Sequence, residues 1–597
     1  MEYRREIDGL RALAVVPVML FHAGFQTFSG GFVGVDIFFV ISGYLITTII
    51  LSDLQREKFS LLSFYERRAR RILPALFLVM AVSSILAYAW LMPDEFKNFG
   101  QSLVATTVFA NNILLAVTSG YWALASEFKP LLHTWSLGVE EQYYVIFPLF
   151  MLLGWRYFSG NLIRVLGVVA LLSFAIANWG AFNKPDLAFY LLPTRAWEIL
   201  LGSFVAFYLN KNKNIEHDRL SYEFFSLGGF LLIVVPIFIF DRGQPSPSFY
   251  TLVPTLGAVL IILFALEDTL VGKLLGSKAM VGVGLISYSL YLWHQPLLAF
   301  SRIYLVNKPN QEISGSLLLL TFVLAYFTWR FVETPCRSKE TISRNVVFSS
   351  MATVGVFFVL LGFYLNKEYG IPTRIFDASV KISDMDKRIY NERVFKLKQD
   401  YFSESEKLKI LVVGNSFGRD FVNMTTETFN LNNVEIVYRD DLSQCILPFK
   451  DEVNKKLYSF ANVIVFANVG AKKCIDENIA FSNNTGSEIF YIGSKEFGWN
   501  LNWLIRLDHT NLPNQYNPLL TGTMDIEKTS AGLVPINNYI SLLTPIVKGD
   551  QVPVTDSFGR LLSTDRAHLT KYGAIFIGEK ALLTSRYGAI LIKHSKL

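Results

Sequence analysis

A succession of apolar stretches fills the first part of this chain and constrains its fold more than any other feature. A helix needs about 20 predominantly apolar residues to cross the hydrocarbon core of a bilayer. Eleven stretches before residue 366 approach this length, so we predict a multi-span α-helical membrane region. The stretches begin near Leu10 and continue at 32–51, 73–92, 136–154, 162–180, 188–209, 224–240, 249–266, 283–306, 314–332 and 346–365.

Composition separates the chain into two regions. Of the 597 residues, 52% are hydrophobic and 17% are charged, which excludes a disordered protein and argues against one soluble globule. The part after about residue 366 has an ordinary soluble composition and is long enough to bury its own core. The net charge of +6 comes from Lys and Arg clusters between apolar stretches, which is typical of cytoplasmic loops, so we expect a lipid bilayer and no nucleic acid as partner. Three cysteines form no zinc array, and we expect no metal site.

The basic clusters predict the topology, because Lys and Arg are enriched in cytoplasmic loops. The segment 100–118 contains Asn111 and Asn112, and we predict that it is re-entrant or lies at the surface. The basic loops then all fall on the cytoplasmic side with the N-terminus, and the C-terminal domain lies outside the cytoplasm, where Cys445 and Cys474 are able to pair. The basic loops contain Arg67/Arg68/Arg70/Arg71, Arg156/Arg164, Lys211/Lys213/Arg219, Lys273/Lys278 and Arg337/Lys339/Arg344.

Several ionisable residues fall within the predicted membrane helices. Arg11 and His22 are three helical turns apart in the first stretch, so both lie on one face with roughly 16 Å between them along the axis. On one interpretation Arg11 extends to the interface and His22 only hydrogen-bonds a neighbouring helix. The other interpretation is a polar cavity for passage or chemistry, which further buried charges favour. These further residues are Asp36, Glu140, Glu141, Arg195, Glu198 and His294.

An arginine cluster precedes the third apolar stretch. It contains Arg67, Arg68, Arg70 and Arg71. Positive charge alone would be sufficient for a topology anchor. Guanidinium groups also match phosphate oxygens in geometry, so the cluster is equally a candidate site for a phosphorylated donor.

Five motifs follow one another along the chain: DGLRALA (8–14), FFVISGYL (38–45), YERRARR (65–71), WSLGVEEQYY (135–144) and YSLYLWHQP (288–296). In this order they resemble the acyltransferase-3 family of integral-membrane O-acyltransferases, and the resemblance covers residues 1–335. It implies ten core helices, a cytoplasmic acyl-coenzyme A donor and transfer of the acyl group, usually acetyl, across the membrane. By resemblance, Arg11 and His22 are the essential pair, and Arg67-x-x-Arg70 faces the coenzyme A phosphates. Because Arg68-x-x-Arg71 fits the same pattern, both registers remain open.

The C-terminal domain contains the elements of a serine nucleophile. Residues 408–413 form an apolar run that predicts a buried strand, followed by Gly414-x-Ser416-x-Gly418 at the start of a helix. Asp565 and His568 lie three residues apart near the end of the chain. A serine hydroxyl is a weak nucleophile unless a histidine takes its proton and an acid orients that histidine. A purely structural glycine turn is the alternative.

The spacing of acid and histidine resembles the SGNH hydrolase family, with Ser416 in its first block and Asp565-x-x-His568 in its last. An α/β fold is implied. Asn415 stands where that family usually has Asp, and a clear Gly-x-Asn-Asp block is absent. Asn468, in the predicted strand 462–470, is a candidate oxyanion donor. An inactive or acceptor-binding domain is the alternative.

Together these features predict a bacterial inner-membrane O-acetyltransferase with its N-terminus in the cytoplasm. We expect a transmembrane domain at 1–335, a linker with an eleventh helix at 336–370, and a periplasmic SGNH-like domain at 371–597. Acetyl-coenzyme A is the expected donor substrate, with no permanently bound cofactor. The expected acceptor is a polysaccharide or lipid-linked glycan such as lipopolysaccharide O-antigen. The alternatives are acetylation of peptidoglycan, or a transporter with an attached periplasmic esterase.

Overall fold

The computed structural model describes residues 3–118, 126–157, 161–212, 218–340, 342–376 and 381–595. Lys213, which belongs to one predicted cytoplasmic loop, lies outside these ranges. The chain divides into two compact units, which we call the membrane unit and the C-terminal unit. The first comprises Met1–Ala89, Glu95–Ser301 and Pro309–Gly370, and the second comprises Trp90–Asp94, Arg302–Lys308 and Ile371–Leu597.

All the long elements of the membrane unit are helices, and each of the eleven apolar stretches overlaps one of them. Within the described residues, six helices are long and apolar enough to cross a membrane. The other five are shorter or carry polar side chains such as Arg11, Glu140 and Arg195. The count of ten core spans plus an eleventh therefore stays a prediction. The long helices are Arg5–His22, Gly34–Gln55, Leu61–Trp90, Thr134–Tyr157, Leu162–Asn183, Leu192–Lys211, Arg219–Ile239, Phe249–Phe264, Ser287–Tyr304, Gln311–Thr328 and Arg344–Lys367.

The segment 100–118 covers the end of one short helix, Pro93–Thr107, and all of a second, Asn111–Thr118. Each is shorter than the about 20 residues that a crossing requires. The two asparagines at the break are buried and hydrogen-bonded: Asn111 Nδ2 donates to Leu131 O at 3.0 Å, and Asn112 Nδ2 donates to Tyr190 O at 3.1 Å. Their polarity therefore holds the broken segment inside the unit.

Two glycines bring the helices Gly34–Gln55 and Leu192–Lys211 into backbone contact. A Cβ at Gly43 would lie 1.8 Å from Ile199 O, and one at Gly202 would lie 1.9 Å from Val40 O. Small residues permit such close approach between membrane helices. The contact places the charged residues of both helices within hydrogen-bonding reach of each other.

The C-terminal unit is an α/β domain, as predicted. Five parallel strands form its main sheet in the order β2-β1-β3-β4-β6, while β5 and β7 form a separate antiparallel pair. Apolar clusters cover both faces of the main sheet, which explains why its strands consist of near-continuous apolar runs. The strands are β1 (Leu408–Val413), β2 (Val434–Arg439), β3 (Val463–Phe466), β4 (Glu488–Ile492), β5 (Tyr516–Pro518), β6 (Tyr539–Ile540) and β7 (Gln551–Pro553).

Helices connect the strands of the C-terminal unit. A disulfide links Cys445, which follows β2, to Cys474 on the helix Lys472–Thr485. The α-helices of eight or more residues are Ser416–Thr428, Glu452–Phe460, Lys472–Thr485, Thr523–Leu533 and Arg586–Ser595, and the shorter ones are Ile382–Met385, Lys387–Glu392 and Lys571–Ile577.

Candidate functional site

The C-terminal unit assembles Ser416, His568 and Asp565 as a hydrogen-bonded chain. The Ser416 Oγ lies 2.9 Å from His568 Nε2, and His568 Nδ1 lies 2.8 Å from Asp565 Oδ2. Because a carboxylate only accepts, Nδ1 carries the proton and Nε2 accepts from the serine hydroxyl. This is the order of roles that activates a serine nucleophile.

A sharp turn after β1 positions Ser416 as the first residue of the helix Ser416–Thr428. Gly414 has a φ of +147°, and a Cβ at this position would lie 2.2 Å from Ala467 Cβ, so only glycine fits. The Asn415 side chain caps the helix by accepting from the Phe417 N–H at 3.0 Å. Asn415, which stands where the resembled family usually has Asp, therefore still caps the helix.

The loop that carries the acid and the histidine is tied by its own hydrogen bonds. Asp565 Oδ1 accepts from the backbone N–H groups of Ala567 at 2.8 Å and His568 at 2.7 Å. Three residues of separation thus let one carboxylate hold both the backbone and the ring of the histidine. Asp420, on the serine helix, accepts from the Leu569 N–H at 3.2 Å and joins the two motifs.

The electrostatics of the triad depend on a lysine. Burial by itself would raise the pKa of the Asp565 carboxyl, but the ammonium of Lys387 and the bonds from His568 outweigh burial and hold that pKa well below its usual range. Lys387 Nζ lies 3.1 Å from Asp565 Oδ2. Asp565 is therefore ionised and able to accept from the imidazole at physiological pH.

Asn468 lies at the same sheet edge as the triad serine. It is exposed and comes two residues after the end of β3, which pairs with β1 so that Phe466 faces Val413. Ala467, which lies between Phe466 and Asn468, contacts Gly414. The placement suits an oxyanion donor, and that role stays a prediction.

In the membrane unit, His22 and His294 form a pair. His22 Nδ1 lies 3.1 Å from His294 Nε2, and the rings are stacked with centroids 5.2 Å apart. His294 Nδ1 lies 2.6 Å from the carbonyl of Tyr291, which only accepts, so Nδ1 carries the proton of a neutral His294. In that tautomer, His294 Nε2 accepts from His22 Nδ1–H.

A third histidine next to this pair is absent from the sequence prediction. His133 is buried, and its ring centroid lies 5.5 Å from that of His294. The His133 carbonyl accepts from the Tyr291 hydroxyl at 2.9 Å. The available signal was its position two residues before the Trp135 motif.

A cavity of about 390 Å³ collects the basic residues that the sequence selected, and we call it the arginine cavity. Arg11 lies on its wall, where its Nη1 pairs with Asp8 Oδ1 at 2.8 Å. Clustered guanidinium groups form an anion-binding wall. The basic residues of the lining are Arg11, Arg67, Arg68, Arg70, Arg71, Arg337 and Lys339.

A smaller cavity of about 100 Å³ adjoins it, and we call it the middle cavity. Arg11, Arg68 and Arg71 line both. Arg70 instead is buried and clamped: it pairs with Glu66 at 3.0 Å and donates to three carbonyls, those of Cys336, Ser338 and Ile342. The geometry therefore favours Arg68-x-x-Arg71 as the ligand-facing register.

A third cavity of about 670 Å³ contains His22 in its lining, and we call it the His22 cavity. It shares Val35 and Tyr291 with the middle cavity, so the three cavities adjoin one another within the membrane unit. Aromatic rings and charged groups surround the rest of it. They include Phe21, Asp36, Trp135, Asp186, Phe189, Tyr190, Arg195, Asp241 and Arg242.

Of the remaining predicted charges, Asp36, Arg195, Glu198 and Glu140 have local partners. Arg195 Nη1 bridges Asp36 Oδ1 at 2.9 Å and Glu198 Oε1 at 3.0 Å in a buried cluster. Glu140 lines the middle cavity and accepts from the Tyr144 hydroxyl at 3.1 Å. Glu141 is buried, and its Oε1 has no hydrogen-bond partner within the described residues. Asp36 thus belongs to the wall of the His22 cavity, and Glu140 to that of the middle cavity.

Comparisons with known proteins agree with these features. A family model described as an acyltransferase domain matches residues 4–332, which is more than half of the chain. The O-acetyltransferase OatA of Staphylococcus aureus is 32% identical over 351 residues, or 56% of this chain and 58% of that protein. The peptidoglycan O-acetyltransferase OatA of Listeria monocytogenes is 32% identical over 358 residues, or 57% of each chain. The putative peptidoglycan O-acetyltransferase YrhL of Bacillus subtilis is 29% identical over 367 residues, or 57% of this chain and 56% of that protein.

The chain thus spans somewhat more than half the length of the curated relatives it matches. No solved structure matches it significantly. The α/β architecture and the serine, histidine and aspartate of the C-terminal unit are compatible with an SGNH-like domain.

Proposed function

Because the chain belongs to the acyltransferase family whose model matches residues 4–332, we propose that it is a membrane O-acetyltransferase acting on a cell-envelope glycan. The observation that carries this proposal is the His22–His294 pair in a row of adjoining cavities. The arginine cavity forms one end of the row, and the His22 cavity forms the other.

Acetyl-coenzyme A is the proposed donor. Its phosphates bind at the arginine cavity, where Arg68 and Arg71 provide guanidinium groups. The narrow middle cavity admits the slender thiol arm past Arg11, which is placed to hold the donor or polarise its thioester carbonyl. In this proposal the phosphates and the acyl group occupy different cavities.

His22 is the proposed general base of the first transfer. Its Nε2 takes the proton of an acceptor hydroxyl in the His22 cavity while the oxygen attacks the thioester carbonyl. The carbon–sulfur bond breaks, and the coenzyme A thiolate takes the proton back from the imidazolium. His294 accepts from Nδ1–H throughout and stabilises the transient positive charge.

Ser416 is the proposed nucleophile of the second transfer. His568 takes the Ser416 Oγ proton as the oxygen attacks the acetyl ester, and returns it to the leaving alcohol. A glycan hydroxyl then loses its proton to His568 and attacks the acetyl-serine, so Ser416 regains a proton and the glycan carries the ester. Asp565 stabilises the imidazolium in both halves.

The proposed acceptor is peptidoglycan rather than lipopolysaccharide O-antigen, because two of the relatives above are named for peptidoglycan. We place the chain in the bacterial inner membrane with a cytoplasmic N-terminus and a periplasmic C-terminal unit, supported by the basic-loop pattern and the disulfide.

The test compares envelope glycans from strains that carry wild-type, His22→Ala or Ser416→Ala protein at equal abundance. We expect both variants to lose base-labile acetate from peptidoglycan, as measured by NMR of the released saccharides. Loss of acetate from O-antigen alone would overturn the assignment of peptidoglycan as the acceptor. Unchanged acetate together with impaired solute uptake in His22→Ala would instead support a transporter with an attached esterase.

A further inference from the structure

Lys387 contacts the acid of the serine triad, and the sequence motifs give no hint of it. The residue begins the short helix Lys387–Glu392 and is buried, with 7% of its surface exposed. Its Nζ lies 3.1 Å from Asp565 Oδ2 and 3.3 Å from Asp94 Oδ2. Burial by itself would lower the pKa of Lys387. The carboxylates of Asp565 and Asp94 outweigh burial, so the pKa is raised and the amine is held as an ammonium.

The oxygen that Lys387 touches is the one that serves the histidine. Asp565 Oδ2 accepts from His568 Nδ1–H at 2.8 Å, while Oδ1 is occupied by two backbone N–H groups. The ammonium and the imidazole thus share one carboxylate oxygen, so each weakens the other's interaction with it.

Other elements bring further charges to this region. The serine helix contributes Asp420, whose Oδ2 pairs with Lys495 at 2.8 Å, so that pair is neutral. Arg566, in the triad loop, lies over the Trp499 ring at 4.3 Å. Among the described residues, Lys387 and His568 are the basic groups that contact the Asp565 carboxylate.

We propose that Lys387 is a positioning residue that aligns the Asp565 carboxylate and offsets part of its negative charge, and that it extends the activity of the triad to lower pH. The proposal rests on the proposed role of Ser416 and His568. A positive charge beside the triad opposes protonation of His568, because it offsets the negative charge that would stabilise the imidazolium. His568 must be neutral to take the serine proton. The triad with Lys387 therefore stays active to a lower pH than it would without Lys387.

The sign of the effect follows directly. Without Lys387 the full charge of Asp565 favours the imidazolium, so the acid limb of the pH profile should move to higher pH. Without Asp94 the ammonium is less neutralised, so the limb should move to lower pH. Opposite shifts from two contacts of one ammonium are not expected from general loss of packing.

The experiment uses the purified full-length chain in detergent and p-nitrophenyl acetate as substrate, with kcat/KM measured from pH 5 to 9. We expect Lys387→Met to raise the midpoint of the acid limb by about one pH unit. Lys387→Arg should restore the wild-type midpoint because it keeps the charge. Asp94→Asn should lower the midpoint by a smaller amount.

The outcomes separate the two proposals. If Ser416→Ala hydrolyses the ester as fast as the wild-type protein, the proposed role of the triad is wrong. If Ser416 is essential but Lys387→Met and Asp94→Asn leave the midpoint of the acid limb unchanged, Lys387 has no positioning role. Should Lys387→Met fail to fold, the direction of the Asp94→Asn shift decides alone, and an upward shift overturns the proposal.

Discussion

The membrane unit and the C-terminal unit each orient a histidine with a second side chain, but the partner differs. In the C-terminal unit His568 donates to a carboxylate, and in the membrane unit His22 donates to a neutral imidazole. Both arrangements fix one tautomer and leave Nε2 as the base. The chemistry required of the two histidines is the same, so the surroundings must explain the choice of partner.

The difference lies in how each unit stabilises charge. Asp565 has two backbone N–H groups and the Lys387 ammonium to support its negative charge. Uncompensated charge is costly within a helical membrane bundle. The buried carboxylates Asp36 and Glu198 are accordingly bound to Arg195. A neutral histidine partner gives orientation without placing a further charge beside His22.

The largest expected effect tests whether the two histidine systems are separate. His22→Ala should abolish the single-turnover release of free coenzyme A, by at least about 10³-fold, and leave p-nitrophenyl acetate hydrolysis within about twofold. Ser416→Ala should show the reverse. Thiol detection and nitrophenolate absorbance measure the two steps on the same purified full-length protein. Loss of both activities in either variant would contradict two separate sites.

The next prediction compares the two partners. Asp565→Asn should lower ester hydrolysis by about 10³-fold to 10⁴-fold, because the amide favours the wrong tautomer of His568. His294→Gln should lower coenzyme A release by only about 10-fold to 100-fold, because an amide oxygen still accepts from His22 Nδ1–H. Rates from the two assays give the ratio directly. Equal losses would mean that a charged partner contributes no more than a neutral one.

The smallest effect concerns the donor site. Arg68→Gln and Arg71→Gln should each raise the KM for acetyl-coenzyme A about 10-fold with little change in kcat, since phosphate contacts bind substrate and transition state alike. Arg70→Gln should instead reduce the thermal stability of the purified protein, because it takes a partner from buried Glu66. If Arg70→Gln alone raises KM, the other register binds the donor.

Local sequence patterns predicted much of this molecule. Apolar length placed the eleven long helices, and the apolar run before Gly414 placed β1 and the helix that begins at Ser416. The Asp565-x-x-His568 spacing predicted a contact that one loop can make by itself. The motif at Arg67 to Arg71 left its register open, because which arginines face a cavity depends on Glu66 and on carbonyls far along the chain.

The residues that the sequence missed all act across long separations. Lys387 reaches Asp565 from 178 positions away in the chain, as the residue numbers show, and no short motif connects them. His133 lies beside His294 for the same reason. Single lysines and histidines are too common for either to stand out without the fold.

The sequence by itself determined the division into an apolar helical part and an α/β part, because burial preference and period are encoded residue by residue. It also determined which residue types are available for acyl transfer. Only the tertiary structure decided that His294 is the partner of His22, that Arg68 and Arg71 face the cavities and that Lys387 contacts the triad acid. Each of these features brings together residues from distant chain segments. The two contacts, His22–His294 and Lys387–Asp565, have distances of about 3 Å, and only packing of the whole unit fixes distances of that kind.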